Sequence, residues 1–337
     1  MSVLNIGIAG LGRLGRIHAG NIASRLSGAR LAAACSIIPD ELVYAKNVLG
    51  VENCTDNFTD LLKTPGLDAI AVITTSGMHA QHIEQALEAG KHVFCEKPLG
   101  VTMEQCKQAE RAVEMHPELI FQLGFMRRFD PSYVYAKKKI NEGLIGTPYL
   151  IKTTSLDPID FVEGALKFAP TSGGLFLDMA VHDIDVARWF LGSDPVAVTA
   201  YGSSFGFPAF AEIGDCESGV ALYKHENGAL AVIHVGRTAS HGYHIETEIV
   251  GTSGSLRIGG IPRKNACEIY GAGGVLVECP EHFPERFDDA YRLEMQAFVD
   301  AVRDNRKPEI TVYDGTVCTK IGYATTEAFK SGEMIRF

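Results

Sequence analysis

Up to about residue 123, short continuous apolar runs alternate with stretches of helical spacing. Val3–Ala9 reads as one strand, and Arg13–Leu26 follows with Leu14, Ile17, Ile22 and Leu26 at helical intervals. Leu31–Cys35, Leu67–Ile73 and His92–Cys95 read as further strands, and His79–Ala89 and Met103–Glu114 as helices. Pro39 with Asp40 and Glu41 opens another helix, since proline and acids suit a first helical turn. This alternation predicts parallel strands with crossover helices, a doubly wound α/β domain.

Beyond Leu123 the period changes. Tyr149–Ser155, Val196–Gly202, Gly219–His225, Leu230–Gly236, Ile245–Gly251 and Glu268–Tyr270 read as strands of an open, mostly antiparallel sheet. Asn227-Gly228 supplies a hairpin turn through positive φ, and Thr252-Ser253-Gly254 a second tight connection. Helices are expected at Pro131–Asn141, Gly174–Leu191, Tyr291–Arg303 and Gly315–Lys330, the last stopped by Gly332. The expected organisation is a Rossmann-type domain over residues 1–123 and a substrate-binding and oligomerisation α+β domain over 124–337. The C-terminal helix has the option of packing back on the first domain.

Length agrees with two domains, since 337 residues exceed what one core ordinarily serves. The 46% hydrophobic and 21% charged composition is that of a soluble globular chain. A formal net charge of -10 argues against nucleic acid as the main partner, and Lys137-Lys138-Lys139 reads as a solvated helix face. The first apolar run has no basic segment before it and ends in a glycine turn, so it reads as a strand and not a secretory signal. No run approaches the ~18 apolar residues of a membrane span. Eight scattered cysteines without a Cys-x-x-Cys pair suggest reduced thiols in a cytoplasm.

The chemistry is concentrated in three places. Gly10-x-Gly12-x-x-Gly15 follows an apolar strand and opens a helix, with Arg13 and Leu14 in its first turn. The first glycine makes the turn, the second admits a pyrophosphate to the backbone and the third lets helix and strand pack closely. The helix N-terminus then offers its free N–H groups to phosphate. A dinucleotide is expected here. The acid that would meet the adenine ribose is missing, and Ser36 stands at that position. The barrier to NADP is thereby removed. Ile37 offers no cation for a 2′-phosphate, and only Arg13 or Arg16 could, so NAD is the expected cofactor with NADP left open.

On the second stretch, Asp178, His182 and Asp185 fall at i, i+4 and i+7 of an apolar helix that follows Gly173-Gly174. For an isolated Asp-x-x-x-His, a structural hydrogen-bond network is the better reading. Lys97 changes that balance. It follows Cys95-Glu96 at the carboxyl end of a strand, where doubly wound sheets place ligands, and precedes Pro98, whose peptide isomer sequence does not reveal.

Gly10-x-Gly12-Arg13-x-Gly15, Glu96-Lys97-Pro98, Gly124-Phe125-Met126-Arg127-Arg128 and Gly173-Gly174 through Asp178, His182 and Asp185 occur in this order. With these motifs the chain resembles the glucose–fructose oxidoreductase/inositol dehydrogenase family over nearly its whole length. The middle segments look closest to bacterial inositol 2-dehydrogenases. The resemblance implies a Rossmann domain followed by an α/β domain that commonly builds dimers or tetramers. It implies a homotetramer as the leading assembly and a cyclic polyol as the small-molecule partner. It also implies that Lys97, Asp178 and His182 form the active site, with Arg127 and Asp157 near substrate or nicotinamide. Thr74, Thr75, His79, Glu96 and Lys97 then fall with Ser36 along the cofactor. Two departures stand out: Thr74-Thr75-Ser76 replaces the usual Thr-Pro-Asn, and Ser36 replaces the usual acid.

The expected reaction is oxidation of a ring hydroxyl. His182 would take the hydroxyl proton, Asp178 would steady the imidazolium, and Lys97 would stabilise developing alkoxide. Two histidines at 79 and 82 lack the further ligands a metal needs, as do His241 and His244, so no metal is expected. The rivals are a sugar dehydrogenase on the same scaffold and, from another class, a non-catalytic nucleotide-binding regulator.

Overall fold

Six parallel strands make the first sheet of the computed structural model, which describes residues 3–337. They are β1 Leu4–Ala9, β2 Ala29–Cys35, β3 Asn53–Thr55, β4 Ala69–Val72, β5 His92–Glu96 and β6 Phe121–Gly124. The order is β3-β2-β1-β4-β5-β6, so the connections reverse direction between β1 and β4. Open α/β sheets bind ligands at the carboxyl ends of the strands flanking that reversal. Helices α1 Arg13–Ser24, α2 Pro39–Asn47, α3 Phe58–Leu62, α4 His79–Glu88 and α5 Met103–Met115 connect them. The strands are buried on both faces, which is why they read as unbroken apolar runs.

The chain divides into two compact units. The first holds the residues up to Phe129 together with Asp289–Thr319; the second holds Asp130–Asp288 and Lys320–Phe337. Ile6, Ile8, Leu11, Ile22 and Phe94 of the first unit share one core with Met295, Phe298 and Val299 from the returning segment.

The second unit is built on a seven-stranded sheet. After α6 Pro131–Asn141 come β7 Pro148–Pro158, the helices α7 Val162–Ser172, α8 Leu175–Asp178 and α9 Ala180–Leu191, then β8 Pro195–Ser203 and the short α10 Ala209–Glu212. The strands β9 Ser218–His225, β10 Leu230–Ala239, β11 His244–Gly251 and β12 Gly254–Ile258 complete the body of the sheet. The ribbon β13 Glu268–Gly271 and β14 Gly274–Val277, the helices α11 Phe283–Arg303 and α12 Val312–Ser331, and β15 Ile335–Arg336 end the chain. The sheet order is β12-β11-β7-β10-β9-β8-β15, antiparallel except for the β7–β10 pair. Strict alternation along β9 and β11 buries one face. Buried hydroxyl pairs, Tyr133–Thr247 at 2.8 Å and Tyr223–Thr325 at 2.9 Å, tie helices to that face.

Several expectations are corrected. Glu268–Tyr270 pairs only with β14, outside the main sheet. The span expected as a single helix over Gly174–Leu191 is interrupted at Met179 (ψ -53, φ -97), which separates α8 from α9. In the Asn227-Gly228 turn only Gly228 has positive φ; Asn227 instead accepts a hydrogen bond from the Ala229 amide. Helix α7 escapes the pattern because Gly164 and Pro170 lie within it, and both residues are ordinarily helix breakers. The helix expected from Tyr291 starts at Phe283, with a break at Phe287. Gly332 does follow the last helix, at φ +72.

Burial holds the imidazoles of His79, His82, His92, His225, His234 and His244 below the ordinary histidine range, His82 down to about 4. The unfolded chain takes up these protons near pH 6.5 and the native one does not. This stabilisation is therefore complete above pH 6.5 and is lost as pH falls toward 4. Thermal melts across that window should show a falling midpoint, with a shallower slope in His82→Asn; a midpoint independent of pH would contradict it.

Candidate active site

The first unit carries a nucleotide cradle at the ends of β1 and β4. Gly10 sits at φ +91, and a Cβ there would collide with the Ile73 carbonyl. A Cβ on Gly15 would collide with the Gly10 carbonyl. These two glycines are demanded by the packing of the turn itself. Gly12 is different: a Cβ there meets nothing within 4 Å. Gly12 also precedes α1 without any side-chain cap, and the first helical turn holds no acid. The helix N–H groups thus face an open space that glycine keeps clear, which fits the pyrophosphate of a dinucleotide. Arg13 is exposed and Leu14 half-buried in that first turn.

At the end of β2, Ser36 is buried and donates to the Glu41 carboxylate at 2.5 Å, while its oxygen accepts from the Ile38 amide. The carboxylate absent from the strand is thus brought there from α2. Thr74 places its carbonyl 3.0 Å from His79 Nε2 and its hydroxyl 3.0 Å from His82 Nδ1. Thr75 leads into a single 3₁₀ turn at Ser76–Met78. His79 is 1% exposed, its ring nitrogens lying 2.7 Å from the Pro98 carbonyl and 3.0 Å from that of Thr74. Both ring nitrogens face backbone carbonyls, so His79 ties the Thr74 and Pro98 loops together whichever nitrogen carries the proton. Glu96 is buried, with one carboxylate oxygen 2.7 Å from His18 and the other accepting from the Lys97 amide. Lys97 is half-buried, and the Lys97–Pro98 bond is cis.

Arg127 and Arg128 lie on a short turn after β6, at 3% and 7% exposure, and Arg128 pairs with Asp314 at 3.1 Å. Arg127 is thus almost wholly buried.

In the second unit, Gly173 and Gly174 both have positive φ and turn the chain from α7 into α8. Asp178 ends α8 and His182 lies in the first turn of α9, where its amide bonds the Met179 carbonyl at 3.3 Å. Both side chains are half-buried, whereas Asp183 and Asp185 on the same helix are fully buried. Asp183 accepts from the Ser155 hydroxyl at 2.8 Å and is a structural group. The break at Met179 thus separates Asp178, which ends α8, from His182, Asp183 and Asp185 on α9. Asp157 is half-buried near the end of β7.

Arg237 on β10 was not legible in the sequence. At 1% exposure it bonds Asp215 at 2.7 Å and lies 3.9 Å from the Asp178 carboxylate. Asp215 in turn accepts from the Leu175 amide at the start of α8. A buried guanidinium and its partner acid therefore hold the short helix that ends in Asp178. Removing either partner of such a buried pair costs about 3–5 kcal/mol. Only strand alternation, which turns residue 237 inward, hints at this role. A cleft of about 680 Å3 in this unit, lined by Gly173, Gly174, Asp215, Tyr323, Thr326 and Lys330, includes neither Asp178 nor His182.

Comparison with known proteins covers both units. Residues 4–125 match the oxidoreductase family described as an NAD-binding Rossmann fold, and residues 133–257 match the GFO/IDH/MocA C-terminal domain. The scyllo-inositol 2-dehydrogenase (NAD(+)) of Bacillus subtilis (strain 168) is 35% identical over 96% of this chain and 94% of its own. The myo-inositol 2-dehydrogenase of Thermotoga maritima is 31% identical over 99% of this chain and 98% of its own. Among solved structures, the scyllo-inositol dehydrogenase of Lactobacillus casei with bound NAD(H) and scyllo-inositol is 45% identical, with a TM-score of 0.96 and 99% of both chains covered.

The two kinds of glycine separate by experiment. Gly12→Ala should leave the melting temperature within a few degrees of the parent while weakening NAD binding at least tenfold by titration calorimetry. Gly15→Ala should destabilise the first unit by several kcal/mol, as overpacking against backbone does. Undiminished NAD affinity in Gly12→Ala would remove the cradle from its assigned role.

Proposed function

Because the chain belongs to the GFO/IDH/MocA oxidoreductases, whose N-terminal part is an NAD-binding Rossmann fold, we propose that it oxidises a secondary ring hydroxyl of an inositol, scyllo or myo, to the ketoinositol. The observation that carries this reading is the pairing of an open Gly12 cradle with half-exposed Asp178 and His182, in a chain alike over its full length to inositol dehydrogenases.

His182 takes the hydroxyl proton, since imidazole is the side chain whose ordinary pKa lies nearest neutral pH. Asp178 stabilises the imidazolium that results and is itself held by the Arg237–Asp215 pair. The Lys97 ammonium stabilises negative charge developing on the hydroxyl oxygen. NAD, when bound, supplies the hydride acceptor. Asp157 and Arg127 are assigned to substrate binding. Glu41 favours NAD over NADP, because its carboxylate beside Ser36 sets a negative charge where a 2′-phosphate would otherwise be welcome.

Self-association is assigned to the open face of the second sheet. Tyr201 on β8, Val220 and Leu222 on β9 and Leu230 on β10 are exposed there, on strands paired in register. The eight cysteines are all free, which supports a reducing compartment such as the cytoplasm. Among the described residues no helix is long and apolar enough to cross a membrane.

A panel of inositol isomers and pyranoses, read by the absorbance of reduced cofactor with NAD and NADP in parallel, tests the function. Inositols with NAD should turn over fastest. His182→Ala should lose at least 10²-fold in kcat with NAD binding retained, a loss in the range usual for a general base. Glu41→Gln should raise the NADP to NAD ratio of kcat/KM. Preference for a pyranose would favour the sugar-dehydrogenase reading, and nucleotide binding without turnover of any polyol would favour a regulator. For the assembly, Leu222→Glu should shift sedimentation toward a smaller species; an unchanged mass would place the interface elsewhere.

A further inference from the structure

Three ionisable side chains meet in the interior of the first unit, directly behind Lys97. His18 on α1 and Glu294 on α11 are 0% exposed, and Glu96 at the end of β5 is 5% exposed. Their ligand-type atoms all lie within 4.8 Å of one another. His18 Nε2 is 2.7 Å from Glu96 Oε1 and 3.9 Å from Glu294 Oε1. The aromatic rings of Phe94 and Tyr291 enclose the imidazole at 5.3 and 5.6 Å between centroids. Gln122 on β6 uses its amide on the Glu294 backbone carbonyl and leaves the carboxyl alone. Neither oxygen of that carboxyl has a hydrogen-bond partner, and neither does His18 Nδ1.

Charge counting limits the possibilities. Two carboxylates this close, both removed from water, cannot share a pocket as dianions without large cost. Glu96 is the one held as the anion: its Oε1 takes the His18 Nε2–H and its Oε2 takes the Lys97 N–H. With the proton on Nε2, the buried Nδ1 is a bare lone pair, which costs less than a buried N–H with no acceptor. No cation hydrogen-bonds the Glu294 carboxyl to support a negative charge there. A metal ion does not fit instead. Two donor atoms on one divalent ion, each at about 2.0–2.2 Å, stand roughly 3 Å or more apart, and the 2.7 Å between His18 and Glu96 is a hydrogen-bond length.

We propose that Glu294 is a permanently protonated acid whose neutrality leaves Glu96, held by His18, as the single carboxylate on which the Lys97 backbone is anchored, making Glu294 and His18 positioning residues for Lys97. This extends the catalytic assignment of Lys97 given above. Burial and the neighbouring Glu96 both drive the Glu294 carboxyl upward. The other titratable groups facing Glu96 are His79 and Lys97.

The protonation is tested without substrate. Infrared spectra of the intact protein, with glutamate carboxyls isotope-labelled, should show a protonated-acid C=O band at neutral pH that shifts with the label. The band should vanish in Glu294→Gln. Absence of the band, or one equivalent of divalent metal co-purifying with the protein, would overturn the proposal whatever polyol it oxidises. The positioning role is read on turnover. Glu294→Ala should lower kcat by roughly tenfold or more through displacement of Lys97, with NAD affinity changed much less. Glu294→Gln, a neutral donor of the same shape, should recover most of that loss. A glutamine variant as impaired as the alanine one would show that charge at this position is what matters, and the proposal would fail. If no polyol in the panel turns over, the infrared band still decides the protonation separately from the reading of function.

Discussion

The close approach of Gly15 to the Gly10 carbonyl is the contact on which the first unit depends. No side chain fits between them, and Gly10 is pressed equally hard against the Ile73 carbonyl at the end of β4. Three backbone segments thereby meet at the reversal of strand order, and α1 starts with its N–H groups turned to an open space beside Gly12. The Ser36–Glu41 pair and the Thr74–His79–Pro98 strut stand around the same sheet edge.

Buried charge is handled differently in the two units. In the second unit, Arg237 is matched by Asp215, and the pair secures the start of α8, so a guanidinium is kept dry because an acid faces it. In the first, two acids and an imidazole lie together, joined by one hydrogen bond between His18 and Glu96. Both arrangements lie immediately behind a residue assigned to the chemistry, Asp178 in one unit and Lys97 in the other. A catalytic group is only as well placed as the groups that hold it.

The alternating strand–helix pattern was readable because parallel strands buried on both faces carry continuous apolar runs. The strands β3 and β6, of three and four residues, are too short to carry a period and went unread. Helix α7 was hidden by Gly164 and Pro170, and the break at Met179 by a run of residues that are all compatible with helix. The hydrogen bonds of His79 to Pro98 and Thr74 and of Glu96 to His18 were likewise not legible, because each joins separate elements.

Sequence alone determined which residues could do the chemistry: the glycine fingerprint, the lysine at a strand end, and the Asp-x-x-x-His spacing. These are local, since each depends on backbone conformation or helical repeat over a few residues. Tertiary structure decided which polar groups remain available and which are consumed. Arg237 reaching Asp215 and Glu294 reaching His18 across more than 270 positions are set by packing between elements, and no local period encodes such distances.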